Sequence, residues 1–136
     1  MNKVAAQLND LVAATQRLQE AASQPKNEFL RDSTIQRFEF TFELAWKVMK
    51  SVNAMLGREC YSPRQCIRVS AQTGLVDNPE RWISYVNQRN YASHIYSEPM
   101  AESIYASAKA CVRDVEALIE KAKGELAKQS EEQNGV

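Results

Sequence analysis

The sequence predicts an all-α protein, an up-and-down four-helix bundle with an additional short helix. The 136-residue chain has four glycines and four prolines, and residues of high helix propensity are abundant in it. Apolar side chains recur at helical spacing over long segments, whereas β-branched runs are few. A chain of this length most simply forms one domain. We therefore expect a single bundle over residues 1–127, followed by a polar, disordered tail over residues 128–136.

The first two helices follow from apolar periodicity that a proline interrupts. Apolar residues at helical spacing predict a first helix over about residues 2–22, and Pro25 follows its end. A second helix runs to about Leu56, where Gly57 provides a C-terminal stop. Its start is left open between Pro25 and Ser33. We expect its aromatic stripe to lie in the core: Phe38, Phe42 and Trp46.

Proline residues mark where the remaining helices begin. Ser62-Pro63 is typical of an N-cap followed by a first helical residue, and the short helix that it opens ends near Gly74. Asn78-Pro79 opens a fourth helix. Pro99 disfavours a helical residue before it, so the fourth helix ends upstream and a last helix runs from about Pro99 to Lys123.

Acidic and basic residues balance at 17 each. This balance argues against a protein held to nucleic acid by bulk charge alone. Between Gly57 and Glu98, however, arginine is present without lysine, which suits directional contacts to phosphate or carboxylate. For any single arginine an ordinary surface ion pair is the more common role. The arginines of this segment are Arg58, Arg64, Arg68, Arg81 and Arg89.

The chain shows no pattern of membrane insertion or export. Apolar runs are too short to span a bilayer, and polar residues interrupt the N-terminal segment where a signal peptide would be continuous. We therefore expect a cytoplasmic protein that does not enter a membrane.

The three cysteines do not suggest a metal site. Cys60, Cys66 and Cys111 lack metal-ligand spacing, and the chain has one histidine. Free thiols are the default in a reducing cytosol, so we expect three free cysteines. Neither a metal nor a cofactor is expected.

Residues 89–96 concentrate the groups that can move protons and bind an anion, and we call them the octet. They contain the single histidine, His94, together with Arg89, Asn90 and Tyr96. Asn90 lies four residues before His94, so on a continuous helix its amide could orient the imidazole. Arg89 and His94 are five apart, roughly 140° around an ideal helix. Both side chains can face the same atom in three ways: the long Arg89 side chain curves around the helix, the helix bends near His94, or a second subunit completes the pocket.

The octet suits phosphoryl transfer at RNA. A neutral imidazole can take the proton of a ribose 2′-hydroxyl near neutral pH. A guanidinium can hold phosphate oxygens and stabilise the charge that grows on phosphorus, so this chemistry requires no divalent ion. In the competing interpretation, His94 is a surface or capping group and Arg89 pairs with Glu98.

One segment resembles the signature of the HEPN superfamily, in which four residues separate an arginine from a histidine. The segment is Arg89-Asn90-x-x-Ser93-His94-x-Tyr96-x-Glu98. The tyrosine two positions after His94 resembles the HepT branch, also called the nucleotidyltransferase substrate-binding protein family. One position departs from the family pattern, since Ser97 stands where family members often carry aspartate.

Three further segments extend the resemblance. Residues 31–47 are similar to the second-helix signature of the family, and Ser62-Pro63-Arg64 and Gly74-Leu75 lie where the family has its short-helix pattern. The resemblance covers about residues 18–105. The arginine–histidine spacing is unspecific by itself and becomes specific when the second-helix block precedes it.

The resemblance implies a dimeric helical bundle that acts as a metal-independent endoribonuclease toxin. It also implies a partner, a minimal nucleotidyltransferase antitoxin, which transfers AMP from ATP to Tyr96 and so blocks RNA entry. In this interpretation His94 is the general base or acid, Arg89 binds the scissile phosphate and Asn90 orients His94. We list as possible cleft-lining residues Ser93, Glu98, Arg37, Glu43 and Arg64.

Three alternatives remain open from the sequence. Arg37 and Glu43 can instead form structural ion pairs, because buried charges need partners. The whole protein can be a non-catalytic subunit that presents a nucleotide or another substrate to a nucleotidyltransferase. It can also be a helical scaffold whose role is to dimerise.

Overall fold

The computed structural model describes residues 2–134, and this part of the chain contains five α-helices and no β-strand. The predicted all-α class is confirmed. Helix α2 packs against all four other helices and forms the centre of the bundle, while α4 contacts α2, α3 and α5. The helices are α1 (Lys3–Ala22), α2 (Glu28–Met55), α3 (Pro63–Thr73), α4 (Pro79–Ala92) and α5 (Glu98–Asn134).

Side-chain caps explain where most of the helices begin. The Asn27 side chain accepts a hydrogen bond from the Leu30 N–H at 2.9 Å, so α2 begins at Glu28, within the interval that the sequence left open. Ser62 caps α3 in the predicted way, with Pro63 at the first helical position. Gly74 ends α3 with a φ of +81°, a conformation that favours glycine.

Helix α5 is longer than the sequence predicted. The predicted helix ended near Lys123, whereas α5 continues to Asn134. The disordered tail predicted from residue 128 is therefore helical up to residue 134, and residues 135–136 lie outside the described residues. Most residues of the extension are Glu, Gln, Leu, Ala or Lys, which enter a helix at little cost, and Lys128 pairs with Glu125 at 3.3 Å.

An aromatic cluster joins α2 to α4 in the core. Phe38, Phe42 and Trp82 are buried, and the Phe42 and Trp82 ring centroids lie 6.4 Å apart. Truncating one such ring to alanine typically costs about 3–5 kcal/mol of unfolding free energy. The core position predicted for the aromatic stripe is confirmed for Phe38 and Phe42, whereas Trp46 is half-buried at its edge.

A buried polar network joins α2 to α3. The Asn53 side chain is fully buried; it donates to the Ser70 hydroxyl at 2.9 Å and accepts from the Thr73 hydroxyl at 2.8 Å. Since a buried amide without partners would be costly, these bonds fix the docking of α3 on α2. The sequence interpretation did not identify this network.

The expectation of three free thiols is wrong for two of the cysteines. Cys60 and Cys66 form a disulfide, and their Cα atoms are 5.1 Å apart. Cys60 lies in the connector before α3 and Cys66 in the first part of α3, so the connector brings them within disulfide range. Cys111 is free and buried, as predicted.

No helix within residues 2–134 is both long enough and apolar enough to cross a membrane.

Candidate functional site

The octet lies where α4 ends. The helix stops at Ala92, Ser93 is its C-cap, and the His94 backbone N–H donates to the Tyr91 carbonyl at 2.9 Å. Arg89 is therefore helical whereas His94 is not, so the angle expected on one continuous helix does not apply. Of the three geometries considered for Arg89 and His94, the structure has a break in the helix between them.

The side chains of His94 and Tyr96 are exposed and stacked. Their ring centroids are 6.3 Å apart and their planes are inclined by 10°. Tyr96 is 83% exposed, so its phenol is open to solvent and to partners. Asn90 is also exposed, and within residues 2–134 no hydrogen bond joins it to His94. The neighbour of the imidazole in this structure is Tyr96, and the orienting role of Asn90 stays a prediction.

Arg89 reaches from α4 to α2. Its Nη1 atom lies 2.8 Å from Oε1 of Glu43, and its guanidinium carbon lies 5.5 Å from the centre of the Phe42 ring. The second carboxylate oxygen of Glu43 accepts a hydrogen bond from Nε1 of Trp46 at 2.8 Å. The structure thus brings Arg89 and Glu43 together. Arg89 does not pair with Glu98, the ion pair that the competing interpretation allowed.

A second carboxylate, Glu39, lies one turn before Glu43 on α2. Burial raises the pKa of Glu39, and the positive charge of Arg89 acts in the opposite direction. Arg89 thus faces two carboxyl groups on the α2 side, and its ion pair with Glu43 limits how strongly it attracts an anion in this state.

Glu98 binds Arg31 at the start of α2. The Arg31 side chain is largely buried, and its guanidinium contacts both Glu98 and Glu102 of α5. Hydrogen bonds from Lys26 and Arg31 lower the pKa of Glu102, although burial opposes them. This cluster anchors the C-terminal end of the segment that carries His94. The sequence interpretation did not single out Arg31, although it lies at the start of the second-helix block.

The other predicted cleft residues are dispersed. Arg37 lies on the α1 side of α2, where it donates to the Arg17 carbonyl at 2.7 Å and borders an open groove of about 470 Å³. Arg64 binds the Asn87 side chain of α4 at 2.5 Å. Ser93 is exposed. Of these residues, Arg64 contacts the helix that carries the octet, whereas Arg37 lies on another face of α2 from Glu43.

The structure describes no group of three or more His, Cys, Asp or Glu side chains within residues 2–134 that could hold a metal ion. The chemical groups gathered at the end of α4 are a guanidinium, an imidazole and phenols, together with the carboxylates of α2 that face Arg89.

Comparison with known proteins identifies related sequences and folds. A curated relative from Haemophilus influenzae, named "Probable ribonuclease HepT", is 33% identical over 79 residues, which is 53% of this chain and 53% of that protein. The chain thus spans about half the length of this relative. A crystal structure from Thermus thermophilus has a TM-score of 0.78 at 29% identity, covering 82% of this chain and 98% of the other.

A second solved structure comes from Haemophilus influenzae and is described as revealing the fold of a substrate binding domain of a nucleotidyltransferase. It has a TM-score of 0.75 at 26% identity and covers 85% of this chain and 98% of the other. The family model described as "Nucleotidyltransferase substrate binding protein like" matches residues 6–124. The resemblance found in the octet and the second-helix block is therefore confirmed, and the chain belongs to the HepT-like family of nucleotidyltransferase substrate-binding proteins.

Proposed function

We propose that the protein is an endoribonuclease toxin of the HepT type, which cleaves RNA without a metal ion and is inactivated by AMP transfer to Tyr96. The observation that carries the proposal is the end of α4 at Ala92, after which His94 and Tyr96 are exposed and stacked, a few residues beyond an arginine held against α2. The relative named "Probable ribonuclease HepT" supports the same activity.

In the proposed reaction, the His94 imidazole removes the proton of a ribose 2′-hydroxyl. The 2′-oxygen then attacks the adjacent phosphorus, and the 5′-oxygen leaves as a proton is delivered to it, which produces a 2′,3′-cyclic phosphate. Arg89 stabilises the charge on the phosphoryl oxygens. Because each chain has a single imidazole, a homodimer in which two octets face one cleft would supply separate groups for base and acid.

In the proposed regulation, the Tyr96 phenol attacks the α-phosphate of ATP bound to a nucleotidyltransferase partner, and pyrophosphate leaves. The exposure of Tyr96 makes its oxygen accessible to such an enzyme. The added AMP would lie beside His94, since the two rings already stack. Its phosphate brings negative charge close to the groups that would otherwise receive RNA.

The activity test uses purified, unmodified protein incubated with RNA in EDTA. We expect the wild type to cleave, and we expect His94→Ala and Arg89→Ala to lose at least about 100-fold in rate, the usual range for an acid–base or charge-stabilising group. Arg113→Ala is the matched control, because Arg113 is exposed on α5. Equal cleavage by wild type and His94→Ala, or none by the unmodified wild type, would refute the proposal.

A second candidate function is a non-catalytic subunit that presents a nucleotide or another substrate to a nucleotidyltransferase. It is favoured by the Haemophilus influenzae structure that is described as a substrate binding domain. This function does not need proton transfer by His94. Ligand binding that survives His94→Ala, together with no RNA cleavage by any variant, would support it.

A further inference from the structure

Both carboxylate oxygens of Glu43 accept hydrogen bonds. Oε1 accepts from Nη1 of Arg89 and Oε2 accepts from Nε1 of Trp46, each at 2.8 Å. Glu43 and Trp46 are three residues apart and so lie on the same face of α2. The half-buried indole therefore fixes the carboxylate, and the carboxylate in turn fixes the guanidinium.

The Arg89 guanidinium is restrained from more than one direction. The Phe42 ring lies against it, Glu43 holds Nη1, and Nε is buried without a hydrogen-bond partner within residues 2–134. The buried Nε faces away from solvent. Nη1 is held by Glu43, and Nη2 makes no hydrogen bond within residues 2–134, so Nη2 is left for contact with an anion and its direction is set before the anion arrives.

Stability alone does not account for this arrangement. The side chains of Arg89 and Glu43 are 26% and 37% exposed, and ion pairs of such exposure contribute little to stability. Glu43 also offsets the positive charge of Arg89, which weakens its attraction for phosphate. The remaining benefit of the Glu43 contact is a fixed orientation of the Arg89 guanidinium, because a reacting group that is held in place lowers the barrier of the reaction.

We propose that Glu43, fixed by Trp46, is a positioning residue that sets the orientation of Arg89 for the scissile phosphate. This inference rests on the proposed ribonuclease function, and it assigns a role to the Glu43-x-x-Trp46 spacing within the second-helix block. Neither Glu43 nor Trp46 touches the substrate in this role.

The kinetic test separates position from charge. Glu43→Asp keeps the charge and withdraws it by one methylene, whereas Glu43→Gln keeps the length and removes the charge. We expect both to lower kcat about 10- to 100-fold, with KM unchanged or lower because Arg89 is less neutralised. Trp46→Phe, which removes the N–H donor and keeps an aromatic ring, should lower kcat by a smaller factor. The charge control is Glu39→Gln, which neutralises a nearby carboxylate without removing a hydrogen bond to Arg89.

A spectroscopic readout does not depend on RNA cleavage. In NMR spectra of the wild type, the buried Nε–H of Arg89 should give a slowly exchanging signal, which Arg89→Lys assigns by its loss. The two tryptophans give two indole N–H signals, and Trp46→Phe assigns one of them. We expect Glu43→Asp to shift the Trp46 signal and to broaden that of Arg89, and we expect Glu39→Gln to change neither.

The outcomes distinguish this inference from the proposed function. A kcat equal to that of the wild type in both Glu43 variants would overturn the positioning role. NMR signals of Arg89 and Trp46 that are unchanged in Glu43→Asp would overturn it as well. If the wild type cleaves no RNA while the Arg89 signal still depends on Glu43, the ribonuclease proposal fails and the orientation of Arg89 by Glu43 stands.

Discussion

Replacing Asp114 with asparagine would test how α5 holds the helix that carries Arg89. The Asp114 carboxylate receives two hydrogen bonds from Arg81 of α4, at 2.6 and 2.9 Å, and a third from the Tyr85 hydroxyl. The side chains of Asp114 and Arg81 are 14% and 54% exposed. Solvent therefore screens this ion pair, and its contribution to the free energy of unfolding is small. Tyr85 is buried, so its hydrogen bond to the charged Asp114 carboxylate provides most of the stabilisation at this contact.

The magnitude follows from changing a charged acceptor into a neutral one of the same shape. A hydrogen bond to a charged group contributes about 1.5–3 kcal/mol and a neutral one about 0.5–1.5 kcal/mol, so Asp114→Asn should cost about 1–1.5 kcal/mol of unfolding free energy at pH 7.

The loss should depend on pH in a defined direction. Burial by itself would raise the pKa of Asp114, but the hydrogen bonds from Arg81 and Tyr85 and the charge of Arg81 outweigh it and hold the pKa below its usual range. A carboxylate with a depressed pKa stabilises the fold fully above its unfolded pKa of about 3.9, and this contribution is lost as the pH falls through the folded value. The difference between wild type and Asp114→Asn should therefore persist down to about pH 5 and narrow below about pH 4.

The assay is urea unfolding followed by circular dichroism at pH 7, 5, 4 and 3. Asp10→Asn is the control, because Asp10 is exposed on α1 and makes no ion pair within residues 2–134. An equal loss of stability at pH 7 and pH 3 would show that the carboxylate charge of Asp114 does not stabilise the contact between α4 and α5, which would refute the reasoning.

Three further predictions concern other parts of the molecule. Asn53→Ala should cost about 2–3 kcal/mol in urea unfolding, because it leaves the buried Ser70 hydroxyl without its donor and removes the amide acceptor of the Thr73 hydroxyl, and a loss below about 1 kcal/mol would contradict this reasoning. Cys60→Ser should cost about 2 kcal/mol without reductant, the loop entropy for a separation of six residues from Cys66, and the difference from wild type should vanish in dithiothreitol. Intact mass after co-expression with a small nucleotidyltransferase should show added AMP, and Tyr96→Phe should show none; AMP on the variant would place the modification elsewhere.

Local signals predicted the helices well because their causes are local. Ser62, Pro63 and Gly74 delimit α3 through bonds and dihedral preferences that involve only near neighbours. The end of α5 was missed because the prediction relied on apolar periodicity. Residues beyond Lys123 have little of it, although their helix propensity is high.

The candidate site was less predictable because its contacts are distant in sequence. Arg89 and Glu43 are 46 residues apart, and either can pair with several other charges as far as the sequence shows. The helix break at Ala92 was also hidden. Pro99 disfavours a helical residue before it, yet α5 begins at Glu98, and the proline does not specify where within residues 89–98 the preceding helix ends.

The catalytic groups of the proposed ribonuclease are anchored separately. Arg89 is fixed by the middle of α2 through Glu43, whereas His94 lies in the short connector that Glu98 ties to Arg31 near the start of α2. Helix α2 therefore holds Arg89 and Glu98 on either side of His94, but the exposed residues between them have few contacts of their own. Tyr96 and His94 lie in the part of the site that has the fewest contacts. A group attached to Tyr96 can therefore displace the His94 side chain while Arg89 stays in place. This explains why a regulatory tyrosine would lie beside the histidine and not beside the arginine.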